Sequence, residues 1–186
     1  GPPGTRRMVD HLTAAYAEDI AVRTDGLEHE VPGGWQVAVH EIGPGAAYDS
    51  GGVRITAIPV RHGSWRVAFG YRIDAPGRSI VISGDTRPSD SLEVAATGVD
   101  VLVHEVYPAS RVAPEARPGG DDWPAYLRAF PPPDIELGAP AARAPPRLLV
   151  LTHVVRMGAS DSEVVAGIRR GGFKGTVAIA KDLDRY

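Results

Sequence analysis

The stretch that decides the fold is Ser79–Pro88, SIVISGDTRP. Ile80, Val81 and Ile82 form an apolar run of the kind covered on both faces in a parallel sheet. The run ends at once in Gly84-Asp85-Thr86. A buried strand that delivers a bare carboxylate at its C-terminal end needs something to receive that charge, because an unpaired buried charge is costly. Asp in a Gly-Asp-Thr turn has a plainer use as a turn residue or cap, bonding its own backbone. The surrounding sequence weighs between the two.

The same pattern recurs. His104 follows the run VDVLV, His153 follows LLVLT, and His62 closes ITAIPVR. Taken singly, each histidine reads as a hydrogen-bonded core residue. Four apolar strands that each deliver a metal-capable or proton-transferring group at the same end are harder to dismiss. In layered α/β proteins ligands collect at strand ends, where rigid backbone holds side chains in place. The chain has no cysteine, which excludes disulfides and thiolate metal sites. A His and Asp set suits Zn²⁺, Mn²⁺ or Fe²⁺. His11, His29 and His40 lack this context and read as surface or packing residues.

Around these runs the pattern is that of an α/β layered domain with a mixed or antiparallel first half. Met8, Val9, Leu12, Ala15 and Tyr16 recur at helical spacing and predict a helix over about Thr5–Glu18. Ile20–Thr24, Trp35–Ile42, Val53–Arg61 and Val67–Ile73 read as β-strands separated by Gly and Pro. Arg78–Ser83, Val99–Val103, Leu148–Thr152 and Thr176–Ala180 read as further strands. Ser160 and Glu163 make a capping box for a helix that stops at Gly171. Ile135–Ala144 is helical in composition with Asp134 as N-cap, yet Pro140 lies inside it and predicts a kink or break. That helix belongs to a stretch rich in Pro and Gly, Arg111–Pro146.

With 186 residues and 43% apolar content the chain is long enough for one domain with a sizeable core. A net charge of −3 with both signs interspersed argues against a broad electrostatic grip on nucleic acid, though Arg6-Arg7 and Arg169-Arg170 with Lys174 leave room for a local basic patch. No apolar run reaches membrane-spanning length, so no membrane partner is expected. Nothing in the residues assigns a compartment; a cytoplasmic location is only the default.

The order GPPGTRRMVDHL, VRHG, SGDT, LVHEVY, LTHVV resembles the metallo-β-lactamase superfamily, and within it the ribonuclease Z-like and arylsulfatase-like hydrolases. SGDT alone is weak; the five in this order are specific, and they run through almost the whole chain. The resemblance implies a four-layer αββα sandwich, here its C-terminal portion, with residues 1–186 as a single domain incomplete at the N-terminus. It implies two divalent metal ions, zinc first with manganese or iron as alternatives. His62 would ligate one, Asp85 would bridge both and His153 would ligate the other. Glu105 and His104 match the family's His-Glu pair and would be catalytic. The implied reaction is hydrolysis of a phosphodiester, with RNA among the substrates, or of a sulfate or other ester. The two cations would activate a water and stabilise charge growing on a phosphoryl oxygen.

Three departures qualify that expectation. The family's His-x-His-x-Asp-His motif, which lies upstream of the GPPG segment, is absent, so the chain reads as part of a parent about 100 or more residues longer. On its own it is expected to bind metal weakly and to dimerise, aggregate or remain partly disordered, a homodimer being one outcome. FPPPDIELG stands where relatives carry an aromatic residue and then His-Thr-Ser, which places Pro131 at the position of a proton-donating His; general-acid help is worth typically about 10²–10⁴-fold in rate. Finally, only 22 residues lie between His62 and Asp85, too few for the tRNA-gripping arm of the long relatives. These departures keep open a second reading, a catalytically silent member of the fold with a binding or assembly role.

Overall fold

The computed structural model describes residues 1–113 and 122–186. Within the proline-rich Arg111–Pro146 stretch, residues 114–121 lie outside the described set. The chain divides into two compact units, Gly1–Gly43 and Pro44–Tyr186.

In Gly1–Gly43 the expected single helix is two, α1 (Thr5–Ala15) and α2 (Ala17–Asp25), broken at Tyr16, where φ is −97° and ψ 10°. The predicted strand Ile20–Thr24 lies inside α2. Its β-branched residues are outweighed by local helix signals: Glu18 and Asp19 in the first turn, and an Asp19–Arg23 ion pair at 3.0 Å one turn apart. Trp35–Ile42 is not a strand either, because it has no ladder partner. Its carbonyls are taken elsewhere: His40 by the N-terminal ammonium at 2.8 Å and Val39 by the Arg6 guanidinium at 2.7 Å. Glu41 caps α1 from afar, accepting from the backbone N–H of Gly4 at 2.7 Å and Arg6 at 3.0 Å. Those amides, Arg6 first, hold its carboxyl below the usual range.

Pro44–Tyr186 is built on one seven-stranded sheet whose spatial order follows the sequence, β1 (Gly45–Ser50), β2 (Val53–Pro59), β3 (Phe69–Ala75), β4 (Arg78–Ile82), β5 (Val101–Val106), β6 (Leu148–Val154) and β7 (Thr176–Ile179). β1 to β4 are antiparallel and β4 to β7 parallel, the mixed arrangement read from the rhythm of the sequence. Three helices pack near one face: α3 (Asp90–Ala96), α5 (Asp134–Arg143) and α6 (Asp161–Arg170), with α4 (Trp123–Ala129) preceding α5 in sequence.

Alternation along the strands sends Ile58, Val81, Leu102, Leu149 and Leu151 into a core shared with Leu92, Leu137, Val164, Ile168 and Phe173. The opposite face carries Ile55, Tyr71, Ile73, Ile80, Val101 and Val103, all only half-buried, and Ile82, 40% exposed. This apolar sheet face is partly bare.

α5 and α6 approach through glycine. A Cβ on Gly138 would sit 2.4 Å from the Ile168 carbonyl oxygen and 2.8 Å from Gly171 Cα. Helix α5 starts one residue earlier than predicted, with Pro133 rather than Asp134 as N-cap, and it passes through Pro140 without ending. Pro140 falls in the last turn, so few residues remain to be misdirected, and its carbonyl still accepts from Ala144 N at 3.0 Å. The Ser160–Glu163 capping box on α6 is complete. No helix among the described residues is long and apolar enough to cross a membrane.

Candidate metal centre

Asp85, Glu105 and His153 converge, each with one ligand atom within 4.8 Å of the others. They come from three places in the sheet: the turn after β4, the interior of β5 and the end of β6. Two local backbone devices make this meeting geometrically possible.

The first is a turn. Gly84 has φ +61°, and a Cβ there would lie 2.8 Å from the Phe69 carbonyl oxygen, so the chain turns sharply only because this residue is glycine. The second is a bulge. On β5 His104 pairs with Leu151 and Val106 with Val154, so Glu105 faces two residues of β6, Thr152 and His153. The extra residue is accommodated with His153 at φ +44°. A left-handed backbone at a non-glycine residue costs about 1–3 kcal/mol and persists where the surroundings impose it. Bulges re-aim side chains. This one brings His153 Nδ1 to 3.1 Å from Asp85 Oδ1 and 3.2 Å from Glu105 Oε2.

Glu105 is buried, whereas Asp85 and His153 are about half exposed. Burial is the main cause that pushes the Glu105 carboxyl up to about 7; the Thr86 amide pulls it down, Asp85 pushes it up and His153 pulls it down. Thr86, itself fully buried, is the residue that sequence reasoning missed. Its N–H donates to Glu105 Oε1, its hydroxyl accepts from Arg61 N at 3.2 Å, and the same hydroxyl donates to the Arg87 carbonyl at 2.7 Å. One threonine thus fixes an oxygen of Glu105 and ties the turn carrying Asp85 to the end of the segment carrying His62. Its place in Gly-Asp-Thr was the only available signal.

His62 and His104 stand apart from the trio. His62 packs edge-on against Phe130, ring centroids 4.9 Å apart at 82°, and its Nδ1 is buried with no hydrogen-bond partner among the described residues. His104 points to the helix side of β5, among Leu92, Leu102, Leu137 and Ala141. Its Nδ1 lies 2.8 Å from the Glu105 carbonyl oxygen, and burial drives its pKa down to about 4. Neighbours in sequence, His104 and Glu105 serve opposite faces of the sheet.

The donor set fits a divalent cation. Two carboxylates and an imidazole match a borderline or hard metal. A cation would relieve the mutual repulsion of Asp85 and buried Glu105. His62 adds a further imidazole on a nearby segment, its neighbour Arg61 tied through its N–H to the Thr86 hydroxyl.

A family model described as a beta-lactamase superfamily domain matches residues 4–154. The chain belongs to this superfamily. It is 33% identical over 188 residues to a ribonuclease Z of Mycobacterium tuberculosis strain H37Rv, all of this chain aligning with 66% of that protein. The chain therefore spans about two thirds of the length of that relative. Among solved structures, it resembles the metallo-beta-lactamase fold protein YhfI of Bacillus subtilis, with TM-score 0.57 and 22% identity over 78% of this chain and 52% of that one. It also resembles zinc-bound PqqB from Methylobacterium extorquens, with TM-score 0.54 and 17% identity over 78% of this chain and 52% of that one. These two show the fold, which is the metallo-β-lactamase fold expected from the motif order.

Proposed function

We propose that this metallo-hydrolase cleaves phosphodiesters, RNA among them, at a divalent-cation centre held by Asp85, Glu105 and His153 with His62 alongside. The observation that carries the reading is the convergence of the first three within 4.8 Å at strand ends, achieved at the cost of a strained His153 backbone. The ribonuclease Z relatives support RNA as the substrate. The PqqB neighbour with zinc bound supports zinc, and the family resemblance supports two ions rather than one.

When bound, such cations polarise a phosphoryl oxygen and lower the pKa of a water that attacks it. The chain's residues supply the rest. Asp85 and His153, half exposed, face the side from which a substrate enters. Glu105 is held by the Thr86 amide at one oxygen and keeps the other 3.2 Å from His153 Nδ1. Burial holds the Glu105 carboxyl at about 7 without a cation, and a cation beside it would favour the carboxylate, so Glu105 serves as a ligand.

The test is metal analysis and hydrolysis of bis(4-nitrophenyl) phosphate and a short oligoribonucleotide, for the chain and for Asp85→Ala and His153→Ala. Cation-dependent cleavage that both variants lose supports the proposal. Cleavage that survives chelation, or that both variants retain, overturns it. Bound cation without turnover favours the silent-relative reading instead.

A further inference from the structure

A stack of three aromatic rings runs along α4 and ends on His62. Trp123 and Tyr126 lie 5.1 Å apart at 9°, and Tyr126 and Phe130 lie 4.3 Å apart at 15°. The spacing of three and then four residues places all three on one helix face. Phe130, capping the C-terminus of α4, then meets the His62 ring edge-on at 4.9 Å and 82°.

Two further features make this contact a built one. Gly63, at φ +50°, is the residue under the Phe130 ring: a Cβ there would lie 2.2 Å from Phe130 Cε1 and Cζ. Its N–H donates to the Ala129 carbonyl at 3.1 Å, fastening the His62 segment to the end of α4. On the other side of His62, Arg61 is held by Thr86 through Arg61 N to Thr86 Oγ1 at 3.2 Å and Arg87 N to Arg61 O at 2.8 Å. The backbone on both sides of His62 is therefore pinned, to α4 and to the turn of Asp85. What remains free is the ring. An imidazole that ligates a metal usually has its orientation set by a hydrogen bond at its other nitrogen. Among the described residues His62 Nδ1 has no such partner.

We infer that Phe130, held in the Trp123–Tyr126–Phe130 stack, is the positioning residue that sets the plane of the His62 imidazole and so directs its nitrogen toward the cation. The inference rests on the proposed role of His62 as a ligand. Edge-to-face packing stands in for the missing hydrogen bond, and the stack behind Phe130 keeps that ring from rotating away. Tyr126 takes part without touching His62: its two ring faces are covered by Trp123 and Phe130, while 44% of its surface is open to solvent.

The experiment is a cobalt(II) titration of the chain, followed by the visible bands that report coordination geometry, with circular dichroism and melting to register the fold. The variants are His62→Ala, Phe130→Leu, Tyr126→Leu and Tyr126→Phe. Loss of groups that orient metal ligands typically weakens affinity about 10–100-fold. His62→Ala and Phe130→Leu are expected to fall in that range with altered bands, Tyr126→Leu to weaken binding several-fold, and Tyr126→Phe, which restores the stack, to bind as the parent does. If His62→Ala weakens binding and Phe130→Leu leaves affinity and bands unchanged, the positioning role is overturned while the metal reading stands. If His62→Ala binds cobalt as the parent does, or the chain takes up none, His62 is no ligand and the inference falls with that assignment. Should Phe130→Leu fail to fold, equal binding by Tyr126→Leu and Tyr126→Phe overturns it.

Discussion

His153 Nδ1 lies 3.1 Å from Asp85 Oδ1 although the two residues are 68 positions apart in sequence. Both belong to segments that leave the sheet at the same end, and the β5–β6 bulge aims one at the other. Placing Asp85 beside buried Glu105 sets two like charges close together, an arrangement that costs stability until a cation compensates it. Asp85→Asn is therefore expected to leave the melting temperature of the cation-free chain unchanged or slightly higher. The parent should gain about 2.7 kcal/mol at a cation concentration 100 times Kd, and the variant should lose most of that gain. Calorimetry with and without Zn²⁺ or Mn²⁺ reads both effects; a variant that melts lower without cation and gains as much with it contradicts the account.

His104 supplies the pH dependence. Its pKa is about 4 in the folded chain, against an ordinary value of 6.5, because burial disfavours the imidazolium. Between those values the unfolded chain binds a proton that the folded chain refuses, so stability rises with pH across the window. The contribution is complete above pH 6.5 and is lost as the pH falls toward 4, a gap of 6.5 − 4 = 2.5 units worth about 3 kcal/mol. Urea denaturation from pH 7 to pH 4 should show that loss in the parent. In His104→Leu the curve should be flatter by a similar amount, whatever its height. Curves of identical slope would mean that the buried imidazole is not what makes the chain acid-sensitive.

The sequence revealed most of what depends on local pattern. Ile80–Ile82, Val101–Val103 and Leu148–Leu151 are continuous apolar runs because their strands lie inside the parallel half of the sheet, and the parallel half is where they are found. The α6 capping box is a four-residue signal and needs no tertiary context. What escaped was set by pairing. The β5–β6 bulge exists only as a mismatch of register between two strands far apart in sequence, so neither LVHEVY nor LTHVV announces it. The same holds for the opposite facing of His104 and Glu105, for Thr86 as the clamp on Glu105, and for Phe130 against His62. Trp35–Ile42 shows the converse error: strand-like residues form no strand when their carbonyls already have partners.

Gly138 tests the helix layer beneath the site. Its substitution by Ala would press a methyl group into backbone of α6, 2.4 Å from the Ile168 carbonyl oxygen, where no flexible side chain can yield. Overpacking of this kind costs about 1–3 kcal/mol. Gly138→Ala is expected to lose that much stability in urea, with metal binding intact once folded. A change within 0.5 kcal/mol, the ordinary range for a surface substitution, would mean that α5 and α6 are not held at this distance.

By the family resemblance, Pro131 stands where relatives carry the residue that protonates the departing group. It is buried, and the next residue, Pro132, accepts from Tyr107 N at 3.1 Å, two positions beyond Glu105 on the same chain segment. A proline side chain cannot protonate a leaving oxygen. The chain is therefore expected to depend steeply on the acidity of the leaving group, cleaving 4-nitrophenyl esters well and ribose or alkyl phosphodiesters poorly. In Pro131→His an imidazole is supplied at the position where the family resemblance implies one. Cleavage of the oligoribonucleotide should then rise by up to about 10²-fold, the lower end of what a positioned acid contributes, while 4-nitrophenolate, stable without a proton, should leave at much the same rate. A uniform rise or fall for both substrates would indicate that the substitution reshaped the site and gave no help to the leaving group.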